Sequence, residues 1–145
     1  MEILNKAASY NYFIEETYEA GIELKGTEVK SLREGSCNIK DAYCLIRNNE
    51  VIVINMYIAK YKQGNIFNHD ELRNKKLLLH KKEIKKIKQK LEEKHLSLIP
   101  LKVYFTRGKA KMKIGICKGK KIYDKRENLK QKELQRTREK ILKQY

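Results

Sequence analysis

The stretch that most constrains the fold is residues 99–116, where "IPLKVYFT" and "KAKMKIGI" flank Arg107-Gly108. Apolar and polar residues alternate on both sides, the period of a strand with one buried face, and a two-residue turn sets Thr106 opposite Lys109. In that register Leu101, Val103 and Phe105 share a face with Ala110, Met112, Ile114 and Ile116. The opposite face collects Lys102, Tyr104, Lys109, Lys111 and Lys113. The hairpin therefore predicts a sheet with a core face and a basic outer face that carries an aromatic ring.

A lysine face is ordinarily just a solvated surface. Here it belongs to a chain of 145 residues with 34 Lys and Arg against 18 Asp and Glu, a formal net charge of +16. Such an excess says little about fold and much about partners, and nucleic acid comes first because each neutralised phosphate releases counterions. An acidic membrane surface comes second. The longest apolar run is about that of Val51 to Ile54, too short to span a bilayer, and the start "MEILNKAASY" lacks a signal peptide's apolar core, so a cytoplasmic protein is expected. The three cysteines, Cys37, Cys44 and Cys117, are odd in number and far apart, which suits reduced, mostly buried thiols.

Other segments supply the remaining elements. Tyr12 to Lys25 is rich in aromatic and β-branched residues and reads as a strand bent at Gly21. "GTEVKSLREG" reads as a short helix capped by Thr27 and ended by Gly35, with Val29 and Leu32 on one face. Ala42 to Arg47 and Glu50 to Ile58 flank Asn48-Asn49, two residues that tolerate positive φ, so a tight hairpin is expected with Ile46 opposite Val51 and Leu45 opposite Ile52. Both faces of that pair are apolar, which predicts cover on both sides. The segment "KYKQGNIFNHDELRNKK" has no clean period and reads as a long functional or mobile loop, and "KLLLH" as a short buried strand. Lys81 to Lys94 is a helix whose Ile84, Ile87 and Leu91 form a narrow stripe, with lysines on its other faces. Seven short strands, mostly antiparallel, with two helices predict a mainly β protein built on an OB-type barrel.

The last 28 residues differ in kind. From Lys118 on there are 11 Lys and Arg against 4 Asp and Glu, about three times the charge per residue of the rest. Asp124 and Glu127 have the spacing of a capping box, and Glu139 with Lys143 is a favourable i,i+4 pair. Yet the apolar stripe is poor: Leu134, Ile141 and Tyr145 lie roughly on one side and Leu129 lies off it. A helix with so little to bury is marginal alone, so residues 120–145 are expected to be a basic tail, disordered when free and folding on a polyanion. The domain is then residues 1–119.

Signals for chemistry are weak. His69-Asp70 and the histidines His69, His80 and His95 have no His-x-x-x-His spacing, no clustered carboxylates and no Gly-rich phosphate loop beside them. No metal, cofactor or catalytic residue is expected, and the reading is a binding protein rather than an enzyme.

Several segments together resemble a family. "YFIEETYEAGIELKGTEVKSLREG", "NIKDAY", "NHDELRNKKLLLHKKEI", "PLKVYF" and "KGKKIYDKRE" follow in the order and spacing of the SsrA-binding proteins, or small protein B, from about Asn5 through the tail. The resemblance implies an OB-type barrel that binds the tRNA-like domain of tmRNA in bacterial trans-translation. It implies a monomeric adaptor entering ribosomes stalled without a stop codon. It assigns tmRNA binding to Glu19 of "YEAG", to Leu78 and His80 of "KLLLH", to Gly119 and to Asn5, although Leu78 also suits a core, Gly119 a turn and Glu19 a pair with a lysine. It places Tyr123 near the decoding-centre bases, ties Asp124, Lys125 and Arg126 to tagging and not to tmRNA affinity, and puts Ile141 and Leu142 further along the empty mRNA channel. The chain departs from the family's usual pattern in lacking a basic run before its first strand, where it has Ala7, Ala8 and Ser9, and in having Asp70-Glu71 and Lys94-His95 at two loop positions. The nearest rival is another basic OB-type translation or ribosomal protein that binds rRNA directly.

Overall fold

The computed structural model describes residues 2–63 and 68–120. In chain order the elements are β1 (Glu2–Leu4), α1 (Lys6–Asn11), β2 (Tyr12–Ile22), α2 (Gly26–Arg33), β3 (Cys37–Asn38), β4 (Tyr43–Arg47), β5 (Glu50–Ile54), β6 (Tyr57–Ile58), β7 (Lys75–Leu78), α3 (Lys81–Lys94), β8 (Ser97–Thr106) and β9 (Lys109–Gly119). The main sheet runs β1-β8-β4-β5-β7-β2-β9, and β8 also pairs with β9. That extra pairing closes β8, β4, β5, β7, β2 and β9 into a barrel, with β1 appended to β8 and a separate β3–β6 ribbon. The architecture is the expected mainly β, OB-type barrel with flanking helices. The seam between β4 and β8 is thin, held by the single pair Cys44 and Leu98.

Both hairpins form in the predicted register. Arg107 and Gly108 take φ of 53° and 76° and place Thr106 opposite Lys109. Asn48 and Asn49 take φ of 51° and 60°, and Ile46 pairs with Val51 and Leu45 with Ile52. Val103, Met112, Ile114 and Ile116 are fully buried with Val51, Val53 and Leu77 in the barrel core, each side chain contributing on the order of 2 kcal/mol. The outer face of β4 and β5 is only half covered, since Leu45, Ile52 and Ile54 remain partly exposed.

Four expectations change. Leu101 does not join Val103 in the core: the register shifts between Pro100 and Lys102, and the extra residue turns Leu101 outward onto Ala8, Ile99 and Cys117 beneath α1. The second strand of the first hairpin stops at Ile54 because Asn55 takes φ of 61°, and Tyr57–Ile58 pairs with Cys37–Asn38 instead. The break in β2 falls between Ile14 and Glu16, while Gly21 is where β2 pairs with β9 on one side and β7 on the other. Thr27 does not cap α2; the Lys25 amide donates to Glu28 Oε1 at 2.8 Å, and the buried face is Glu28, Ser31 and Leu32. Gly35, with φ of 77°, ends that helix as expected, its amide donating to the Leu32 carbonyl at 2.9 Å.

α3 spans the predicted residues, and its Ile84 and Ile87 enter the core. The described part of the long loop is pinned. Tyr61 and Asn68 exchange hydrogen bonds of 3.0 and 2.6 Å. His69 is buried, its Nε2 donating to the Ile58 carbonyl at 2.9 Å and its Nδ1 accepting from the Thr27 hydroxyl at 2.9 Å. The cysteines are free thiols; burial raises all three, Cys37 up to about 12 and Cys117 to about 11.

Candidate nucleic-acid interface

Strand pairing carries the basic face of the hairpin across five strands. Lys102 pairs with Lys113 and Tyr104 with Lys111 between β8 and β9; Glu19 of β2 pairs with Lys113 and Gly21 with Lys111. Leu78 of β7 then pairs with Gly21, and Glu2 of β1 with Tyr104. Residues directly opposite share a face, so Leu78, Glu19, Lys102, Lys109, Lys111, Lys113 and Tyr104 form one outer surface. Leu78 departs from the expected buried strand: Leu77 takes the core, and Leu78 is 51% exposed. Gly21 matters here because a Cβ would sit 3.3 Å from Leu78 Cβ, so its missing side chain lets Leu78 lie across β2.

The surface is organised by hydrogen bonds. Tyr104 donates its hydroxyl to Glu19 Oε2, so among the described residues Glu19 is held by a tyrosine and not by a lysine. Burial, and next the hydrogen bond to Glu19, push the Tyr104 phenol up to about 12, which keeps it a donor at neutral pH. Lys102 lies over the Tyr104 ring, 5.3 Å from its centre, and pairs with Glu2 at 2.8 Å. The hydrogen bond from Lys102, then its charge, lowers the Glu2 carboxyl. A fixed carboxylate with free lone pairs can accept from base amino groups, while Lys109, Lys111 and Lys113 can meet phosphate.

The remaining sequence-predicted residues lie elsewhere. Asn5 is buried, donating from Nδ2 to the carbonyls of Pro100 at 2.8 Å and Ile39 at 3.3 Å, with no partner for Oδ1 among the described residues. His80 is exposed just before α3, its amide donating to Glu83 Oε1 at 3.2 Å. Gly119 ends β9 opposite Tyr12, with open space where a Cβ would stand. The barrel closes off at Lys120, whose amide donates to the Asn11 carbonyl at 2.8 Å and whose ammonium lies 5.0 Å from the centre of the Phe13 ring. Tyr123, Asp124, Lys125, Arg126, Ile141 and Leu142 lie outside the described residues.

Sequence reasoning missed the charged cluster beneath this surface. Glu28 is fully buried and accepts from Arg73 through both oxygens, at 2.6 and 3.3 Å. Lys75 is also fully buried, donating to the carbonyls of Met56 at 2.9 Å and Arg73 at 2.6 Å, with Glu28 Oε2 3.9 Å away. The signal was present: in "KKLLL" Lys75 has the parity of Leu77, hence faces inward, and a buried cation requires a buried anion. Among the described residues no three His, Cys, Asp or Glu side chains gather as metal ligands, and no helix is long and apolar enough to cross a membrane.

A family model described as SmpB protein matches residues 2–144. The SsrA-binding protein of Bacillus cereus (strain ATCC 10987 / NRS 248) is 58% identical over 132 residues, spanning 91% of this chain and 85% of the relative. That of Bacillus anthracis is 56% identical over 132 residues. A solved structure described as "tmRNA-SmpB: a journey to the center of the bacterial ribosome" matches with a TM-score of 0.69 at 47% identity, covering 83% of this chain and 85% of that one.

Proposed function

The chain belongs to the SmpB family, and on that premise we propose that it is the tmRNA-binding adaptor of trans-translation, bringing tmRNA to stalled ribosomes. The SsrA-binding proteins are RNA-binding adaptors, and this chain acts by binding alone, without turnover, in the cytoplasm. The supporting observation is the convergence of Glu19, Tyr104, Leu78 and the lysines of β8 and β9 on one outer surface. In this reading that surface holds the tRNA-like domain: the lysines contact phosphates, Glu19 reads base edges, and Leu78 packs against an exposed base or sugar.

We assign residues 1–119 to this tmRNA-binding unit and residues 120–145 to a second task, inspecting the empty mRNA channel. Tyr123 stacks near decoding-centre bases, Asp124, Lys125 and Arg126 act in tagging, and Ile141 and Leu142 anchor the far end. Asn5 supports the site from below by tying β1 and α1 to β8, and Gly119 leaves room where β9 ends.

Binding to tmRNA and to an rRNA fragment of matched length, at the same salt, tests the partner. At least tenfold preference for tmRNA is expected, and equal affinities would favour the rRNA rival. Truncation after Lys120 keeps the bond to Asn11 and tests the division of tasks: tmRNA binding stays near normal and peptide tagging is lost. Loss of both would refute two separable surfaces.

A further inference from the structure

Beside Leu78 the protein has a second basic feature that the tmRNA reading does not use. A cleft of about 670 Å³ opens between β7, the Asn48-Asn49 turn and α3. Its floor is apolar, made by Leu78, Leu79 and Ile84. Its rim carries Lys81, Lys82, Lys85 and Lys88, all exposed and none in a salt bridge among the described residues. Among the described residues the one carboxylate at the rim, Glu50, is taken by Lys76 at 3.1 Å.

The spacing on α3 matters. Positions 81, 85 and 88 follow the i, i+4, i+7 row of one helix face, about 10 Å long. A row of cations beside an apolar floor matches the two chemistries of a nucleotide, a ring to be kept from water and a phosphate to be neutralised. The side chains of Asn48 and Asn49 can donate to or accept from a base edge. An anionic membrane would offer a similar mix, but the apolar stripe of α3, Ile84, Ile87 and Leu91, is packed against the core, so the helix has no free apolar face to insert.

We propose that this cleft is a second RNA-binding site, taking an unstacked nucleotide on Leu78 and Leu79 with neighbouring phosphates on Lys81, Lys85 and Lys88. The inference rests on the RNA-binding reading above and extends it: Leu78 belongs both to the outer surface and to the cleft, so one RNA can run continuously from Lys111 over Leu78 onto α3.

The test compares two pairs of substitutions in the full chain that remove the same charge from the same helix. Lys85→Gln with Lys88→Gln alters the cleft rim; Lys86→Gln with Lys94→Gln alters positions outside it. Affinity for a tmRNA transcript and for an unrelated structured RNA of equal length is measured over a range of salt, after thermal melts confirm that both variants fold. The cleft pair is expected to weaken tmRNA binding about 5–20-fold and to flatten the log affinity against log salt slope by about 1.5, the loss of two phosphate contacts. The outer pair should stay within about twofold of wild type. Equal effects of the two pairs, or an unchanged slope for the cleft pair, would overturn the site. If wild type binds both RNAs equally, the tmRNA assignment fails while the slope difference between the pairs still supports the cleft. Binding to vesicles of phosphatidylglycerol and phosphatidylcholine provides the last arm, where a loss confined to the cleft pair and absent with RNA would overturn the proposal in favour of a membrane.

Discussion

Two groups of charges in this protein contain the same functional groups and do opposite work. On the outer surface Glu19, Tyr104, Lys102, Lys111 and Lys113 sit at the solvent boundary with lysine charge in excess. In the interior Glu28 binds Arg73 and lies near Lys75, with both Glu28 and Lys75 out of contact with water. The interior charges are spent on one another and on backbone carbonyls, which fixes α2 against β7 and the loop before it. The outer charges are left incompletely paired, which leaves them to a partner. Removing interior charge should therefore cost stability, and removing outer charge should cost RNA affinity.

Glu28→Ala should produce the largest effect. It strands two cations, one fully buried, and breaking one side of such a pair costs about 3–5 kcal/mol. A fall in melting temperature on the order of 10 °C or more is expected, with Glu28→Gln smaller because an amide still accepts from Arg73. A melt within about 2 °C of wild type for Glu28→Ala would break the contrast from the interior side.

The outer surface is tested by replacing Lys102, Lys111 and Lys113 together with Gln. The melting temperature should move by only a few degrees, since exposed lysines contribute little. The affinity for tmRNA should fall at least tenfold, and the salt slope should flatten by about 2–3. A large loss of stability with unchanged slope would show that these lysines are structural.

These two regions were unequally legible. The outer surface followed from period-two alternation around a turn that demands positive φ, so Lys102, Tyr104, Lys111 and Lys113 could be placed together from the sequence. Glu19 was named by family resemblance; its partner Tyr104 emerges only from the pairing of β2 with β9. Leu101 was misplaced because a bulge inserts one residue and inverts the parity of everything before it; the neighbouring Pro100, a residue that sheets confine to edges and bulges, was the local signal for it. β1 and α1 were not anticipated because a three-residue strand has no period of its own; it forms on the free edge of β8. The buried cluster joins Glu28 to Arg73 across 45 positions, a contact that the pairing of β2 with β7 creates.

Tyr104→Phe sharpens the contrast within the outer surface, since it removes a donor without removing charge. Glu19 then loses the hydroxyl that orients it, and tmRNA affinity should fall about 3–10-fold, the worth of an ordinary net hydrogen bond, since this one is exposed. The salt slope should stay unchanged. A slope shift as large as that of the lysine variant would mean that Tyr104 acts by placing Lys102 and not Glu19.

The smallest effect is a pH dependence of the interior cluster. Burial alone would raise the Glu28 carboxyl, but the Arg73 hydrogen bonds, the Lys25 amide and the charges of Arg73 and Lys75 outweigh it and hold it below its ordinary value of 4.5. The unfolded chain therefore binds the proton more readily than the folded one as acid is added. Stability from this group is fully present above about pH 4.5 and is lost as pH falls through the depressed folded value. The difference in melting temperature between wild type and Glu28→Gln should be flat from pH 7 to about pH 5 and shrink below it. On the outer surface the Tyr104→Phe variant should follow wild type over the same range, because a phenol raised to about 12 does not titrate there. A wild-type advantage over Glu28→Gln that grows toward acid would reverse the sign and place the proton on the carboxyl in the folded state.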